Sequence, residues 1–149
     1  MAFSEGPIIS SFISETTLST AFLYKLAYLS SDGYVTVPTS LTGYTTGARQ
    51  APIGVCYGVT QTTSTQSEAI PVAIGGIVKL KFSSDSTMVP GDLVCASSAG
   101  FGTTPSTANY VIGKLIAFTT GGERHVGSVL WGGVPFRSAL RDVTSTGNT

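Results

Sequence analysis

Apolar and polar positions alternate with a period of two along much of this chain, the spacing of half-buried strands rather than of helices. The clearest case lies within Ala69 to Val94. In Ile77 to Phe82, the residues Val78, Leu80 and Phe82 share one strand face while Lys79 and Lys81 share the other. A second β-type run, Ile70 to Ile74, is separated from it by Gly75-Gly76. That dipeptide suits either a tight primed hairpin turn or a bulge in a bent strand. Val89-Pro90-Gly91-Asp92 predicts a type II turn, since proline presets the first central position and glycine accepts positive φ at the second. A third run follows it.

The rest of the chain reads in the same terms. Residues 1–16 form an N-terminal arm with no sustained period, and Ile8, Ile9, Phe12 and Ile13 make it too apolar for a solvated tail. It must lie on its own body or on a neighbour. In Ser14 to Ser30 a helical stripe (Leu18, Phe22, Leu26) competes with a strand face (Phe22, Tyr24, Leu26, Tyr28), and the aromatic content favours a strand. A turn around Thr16 to Ser19, a strand from about Ala21 to Leu29, an Asp32-Gly33 hairpin turn and a return at Tyr34 to Val37 are expected. Thr39 to Pro52 reads as a polar loop, and Ile53 to Val59 as a strand whose Gly54 and Gly58 suggest close backbone packing. Gln61 to Glu68 is a polar connection and Ser97 to Thr107 a long loop. Tyr110 to Phe118 is apolar on both faces, as a fully covered central strand is. His125 to Trp131 is the last body strand. The predicted fold is all-β, a small antiparallel barrel or sandwich over 17–132, with extended N- and C-terminal arms, the latter over 133–149.

Composition narrows the function. The 149 residues suffice for one domain. Charged residues make up only 11% of them, against roughly a quarter in an average soluble protein. Ser and Thr, together roughly a quarter of the chain, cover the surface instead. Low charge suits buried contact surfaces, because interface centres are depleted in charge. Eight basic and eight acidic residues cancel, which leaves no electrostatic footprint for nucleic acid or an anionic membrane. The sequence also shows neither a membrane-span run nor a signal-peptide pattern. Cys56 and Cys95 each sit in an apolar run without a Cys-x-x-Cys pair, and are expected to be buried free thiols.

Catalytic chemistry finds little to use. His125 is the single histidine, so a His-centred triad or a multi-histidine metal site has at most one member to recruit, and a lone histidine at the start of a strand is more often a surface or satisfied residue. The carboxylates are scattered through turns and termini, without the fixed short spacing of a calcium loop. No Gly-Lys-Ser/Thr phosphate loop is present. The expectation is a non-enzyme with no cofactor and no metal. Tyr44, Tyr57 and Trp131 offer the alternative of an adhesin or carbohydrate-binding module, in which rings stack on sugars, although packing is the commoner use of such residues.

The order of signals carries a resemblance. Leu18-Ser-Thr-Ala-Phe22 leads to Gly33-Tyr-Val, then to Ile53-Gly-Val, Ile70-Pro-Val-Ala and Gly76-Ile-Val-Lys-Leu; Val89-Pro-Gly-Asp-Leu-Val, Val111-Ile-Gly-Lys-Leu and His125-Val-Gly-Ser-Val-Leu follow. Over roughly Thr17 to Trp131 this resembles the small capsid cement, or decoration, proteins of tailed bacteriophages. The resemblance implies a compact β-body made in the host cytoplasm and placed on the outer surface of the expanded head. There it would act as a homotrimer whose partner is the major capsid protein, clamping neighbouring capsid subunits. Phe3, Ile8, Ile9, Phe12, Ile13, Phe136 and Leu140, in the two arms, are the candidate capsid or subunit contacts.

Overall fold

The computed structural model describes residues 6–30, 32–37, 51–61, 68–83, 87–97, 99–105, 110–118 and 126–137, the side chains of 133–137 excepted. The described residues form an all-β fold of two antiparallel five-stranded sheets. The first sheet contains β1 (Ile8–Ile13), β2 (Leu26–Leu29), β3 (Val35–Thr36), β4 (Gly54–Cys56) and β5 (Ala69–Gly75), in the order β1-β5-β4-β2-β3. The second contains β6 (Ile77–Lys81), β7 (Leu93–Ala96), β8 (Gly102–Thr103), β9 (Tyr110–Phe118) and β10 (Val126–Arg137), in the order β6-β10-β9-β7-β8. Both sheets curl until their outer strands meet. Ser14 bridges Val35 in the first, and Phe82 bridges Gly102 in the second.

Alternation along the strands divides the core in two. Leu26, Tyr28, Val55 and Ala73 turn toward the second sheet and pack with Val78, Leu80, Phe82, Leu115, Val129 and Trp131. Their neighbours Ala27, Cys56, Val72 and Ile70 turn the other way, joining Leu18, Val35 and Val37 in a second cluster within the curl of the first sheet. Strands β3 and β4 of the first sheet, and most of β2, are therefore buried on both faces. The two thiols are free and buried, Cys56 in β4 and Cys95 in β7.

Gly75-Gly76 does not make a hairpin. β5 pairs with β1 and β4, whereas β6 pairs with β10, so the chain passes at this point from one sheet to the other. Gly76 supplies the bend with φ +74°, and its carbonyl accepts the Trp131 N–H at 3.0 Å. The bent-strand alternative is thus the one the fold adopts. By contrast, Asp32-Gly33 turns a true hairpin, with Leu29 opposite Val35 and the Ser30 N–H donating to the Tyr34 carbonyl at 2.8 Å.

Four further expectations are corrected. From Ile8 onward the N-terminal segment is a strand paired along its length with β5, where Ile74 is an extra residue between the partners of Ile8 and Ile9, and its period escapes detection because Ile8-Ile9 and Phe12-Ile13 are apolar in succession. The strand expected from Ala21 begins only at Leu26. Thr20–Phe22 is a 3-10 turn, and Tyr24 takes a left-handed backbone, φ +62°. The Ser97–Thr107 loop contains the short strand β8. The last strand does not stop at Trp131 but resumes after an irregularity, placing Phe136 opposite Val111 and Arg137 opposite Tyr110. β9 is central in its sheet as its composition implies, yet Lys114, Ile116 and Ala117 are exposed, so only its first half is covered on both faces.

Tyr24 and its neighbours tie the sheets together. The Tyr24 N–H donates to the Cys56 carbonyl at 2.8 Å, the Lys81 N–H donates to the Tyr24 carbonyl at 2.7 Å, and the Leu26 N–H donates to the Gly100 carbonyl at 2.8 Å. One short stretch thus bonds to the β4 strand, the β6 strand and the β7–β8 turn. Pro71 shows the same economy. It lies in β5 between two strands, but its missing N–H falls where β4 has already ended, and its carbonyl still accepts the Tyr57 N–H at 2.9 Å.

Two glycines test the packing. A Cβ at Gly54 would collide with the Ala73 carbonyl across the β4–β5 pair, whereas one at Gly6 meets nothing within 4 Å. Gly91 has open space but a φ of +100° in the predicted turn, which the Asp92 carboxylate closes by accepting the Val89 N–H at 2.9 Å. Gly54→Ala is expected to cost about 1–3 kcal/mol through overpacking, and Gly91→Ala about 1–2 kcal/mol through left-handed strain. Gly6→Ala should leave the urea midpoint unchanged.

Candidate functional site

The β1 edge is the first of three surface features. Ile8 is 61% exposed, Ile9 49% and Ile13 41%. Phe12 points inward and packs on the first-sheet cluster, so it is no open contact residue. Phe136 lies in β10, with only its backbone described, and Phe3 and Leu140 lie outside the described residues. Three of the candidates, Ile8, Ile9 and Ile13, thus stand exposed on one strand of the first sheet, while the backbone of Phe136 lies in the second.

The backbone of β1 is as informative as its side chains. The Ser14 N–H donates to the Glu68 carbonyl at 2.8 Å. Alternate pairs along an antiparallel ladder are hydrogen-bonded, which makes Phe12–Ile70 and Ser10–Val72 the next such pairs. The N–H and C=O groups of Ile9 and Ser11 therefore face away from β5. Beyond Ile13 that side is occupied, because the Glu15 N–H donates to the Val35 carbonyl at 2.8 Å.

The second feature is the outer face of the second sheet. Ile116 is 42% and Leu130 47% exposed, and beside them an open depression of about 350 Å³ is lined by Leu93, Ile112, Lys114, Leu130, Trp131 and Gly132. Sequence reasoning did not propose this face. The signal was present in His125 to Trp131, where a period of two that buries Val129 and Trp131 must turn Leu130 outward.

The third is a cationic seam where the sheets join. Lys79 Nζ lies 5.7 Å from the centre of the Tyr24 ring, and Lys25 Nζ 4.7 Å from Phe101 and 5.6 Å from Phe22. Lys81 Nζ donates to the Ala21 carbonyl at 3.2 Å. Burial, with a smaller contribution from Lys81, holds the Lys25 ammonium below the ordinary lysine value. The Tyr57 hydroxyl accepts the Lys79 N–H at 2.5 Å and its ring meets Tyr24 edge to face at 5.3 Å. These contacts position β6 against the 3-10 turn.

Aromatic stacking on sugars has little to work with among the described residues. Trp131 is 6% exposed, and Tyr57 is committed through both ring and hydroxyl. Tyr44 and His125 lie outside the described residues. Among the described residues no three His, Cys, Asp or Glu side chains gather as a metal site, and no helix is long and apolar enough to cross a membrane. Comparison with protein-family models, with curated proteins and with solved structures finds no match to this chain.

Buried protons set an alkaline limit. Burial raises the Cys56 thiol, whose S–H donates to the Gly58 carbonyl at 3.1 Å. Burial also raises the Tyr28 phenol, strongly, and Tyr57 less so. The folded chain keeps these protons at pH values where the unfolded chain releases them, so each group's contribution is intact below the unfolded value and lost as pH rises above it. Lys25 acts oppositely, since its folded value is lowered: the penalty for burying its charge is relieved as pH rises toward the ordinary lysine value. Unfolding free energy should fall above about pH 9, where free thiols ionise, and more steeply above about pH 10, where free tyrosines do. Tyr28→Phe should flatten the loss above pH 10 by up to about 1.4 kcal/mol per pH unit, read from urea titrations at pH 8 to 11.

Proposed function

We propose that this chain is a capsid cement, or decoration, protein: a structural virion component that binds the outside of an expanded phage head and bridges neighbouring major capsid subunits. The observation that carries the reading is a pair of exposed apolar surfaces, β1 and the Leu130–Ile116 face, on a rigid β-body with very little charge. Two such surfaces on different sheets suit a protein that must hold another copy and a shell at once. The order of glycine and apolar motifs that resembles the decoration proteins supports the same assignment.

The mechanism is interface burial. A standard contact removes about 800 Å² from each partner, and apolar area contributes roughly 25 cal/mol per Å² before the costs of association. Copies joined as a homotrimer multiply a modest single contact, since the second and third engagements occur at high effective concentration. No turnover, cofactor or nucleic-acid contact enters this role, and the chain's neutrality suits binding to protein rather than to DNA.

The test mixes purified protein with compact and expanded heads and measures bound copies by sedimentation and electron microscopy. Saturable binding to expanded heads, and none to compact ones, is the expected outcome. Leu130→Asp with Ile116→Asp should weaken that binding at least tenfold while leaving the folded spectrum intact. A protein that ignores both forms of head would sink the proposal.

A further inference from the structure

We propose that two copies of this chain join edge to edge through β1, forming a two-fold antiparallel strand pair centred beside Ser10. The proposal goes beyond capsid binding and does not depend on it. Its basis is the state of the sheet edges. β6 is closed by the Tyr57 hydroxyl on the Lys79 N–H, by the Tyr24 carbonyl on the Lys81 N–H and by the Phe82–Gly102 bridge. β8 is closed by that same bridge, and β3 by the bridge from Ser14 to Val35. Among the described residues β1 keeps both N–H and C=O groups turned outward at two successive alternate positions, Ile9 and Ser11.

Protected edges carry charge, proline or bulges. β1 has no charged residue, the irregularity at its start places the extra residue, Ile74, in β5 rather than in β1, and Pro7 precedes it. Three isoleucines stand exposed along it. An apolar edge with outward backbone donors and acceptors is completed by another extended strand, and the strand of that kind on the page is β1 itself. Pairing like with like must be isologous, so both copies present the same residues about a two-fold axis.

The register follows from the fork at Ser14. Because β3 occupies the outer side from there on, a second copy must pair nearer the start of β1. An axis beside Ser10 sets Ile9 against Ser11 of the second copy and Ser11 against its Ile9, so that all four outward donors and acceptors of these residues in each copy are used. Ser10 then stands opposite Ser10 of the second copy in a non-hydrogen-bonded pair, where Cα atoms lie about 4.5 Å apart. Ile8 and Ile9 of both copies are covered.

Two substitutions read this geometry. Ser11→Pro removes an N–H that bonds nothing within β5, so the fold should persist while the edge pairing is lost. Ser10→Cys places thiols within the Cα range of about 4.4–6.8 Å that a disulfide spans, and the buried Cys56 and Cys95 do not compete. Light scattering should give an even number of copies for the wild-type chain, two alone or six if a three-fold contact is also present, and half that number for Ser11→Pro at unchanged circular dichroism. Mild oxidation should convert Ser10→Cys almost wholly to linked dimers, with Glu15→Cys remaining mostly unlinked. An odd copy number for the wild type, an unaltered one for Ser11→Pro, or failure of Ser10→Cys to link would overturn the proposal. Binding of Ser11→Pro to expanded heads is read separately, so loss of the pair and loss of the capsid role are distinguishable.

Discussion

The left-handed backbone at Tyr24 is the constraint on which the two-sheet arrangement rests. A tyrosine there accepts a conformation that favours glycine, at a cost of about 1–2 kcal/mol, and the return is three-way. Its N–H reaches β4, its carbonyl reaches β6, and the next residues enter β2 with the Leu26 N–H on the β7–β8 turn. Glycine would relieve the strain but lose the ring, which meets Tyr57 and lies under Lys79. The side chain and the strained backbone thus serve the same junction. Closure of the β6 edge follows from it, because the Tyr24 carbonyl and the Tyr57 hydroxyl take the outward donors of that strand.

Burial on both faces of the first sheet is the second consequence. A strand of three or four residues supplies few contacts, and β2, β3 and β4 have only two to four residues each. Such short strands hold because all their residues but Leu29 are covered, one face by the second sheet and the other by Leu18, Ile70 and Val37 within the curl. The longer β9 and β10 can afford an outer face open to solvent, and the exposed Leu130 and Ile116 lie there.

Legibility of the sequence followed the regularity of the pattern. Ile77 to Phe82 was readable because its alternation is unbroken and one face is cationic, and the Pro90-Gly91 and Asp32-Gly33 turns because their chemistry is local. Gly75-Gly76 was not decidable. The same dipeptide satisfies a hairpin and a corner, and only the long-range partners of β5 and β6 separate them. β1 was hidden because Ile8-Ile9 and Phe12-Ile13 are apolar in succession and break the period of two, though its apolar character marked it as a contact surface. Tyr24 misled the reading of the strand from Ala21, because its aromatic ring suggests a strand while its backbone turns back. The cationic seam was beyond reach, since Lys25 meets Lys81 only through the junction of the sheets.

The position of β1 relative to the closed edges bears on how such a body assembles. On β3, β6 and β8 outward groups are taken by contacts that also join or close the sheets, so opening those contacts would cost part of the fold. β1 is different. Its pairing with β5 uses Ser10, Phe12 and Ser14, and its outward groups at Ile9 and Ser11 contribute nothing to the isolated chain. An apolar edge left in that state invites uncontrolled strand addition unless something limits its length. The limits here are built in at both ends, by Pro7 on one side and by β3 at Ser14 on the other. What remains is a window of about two residue pairs, long enough for one defined strand and too short to template a growing sheet.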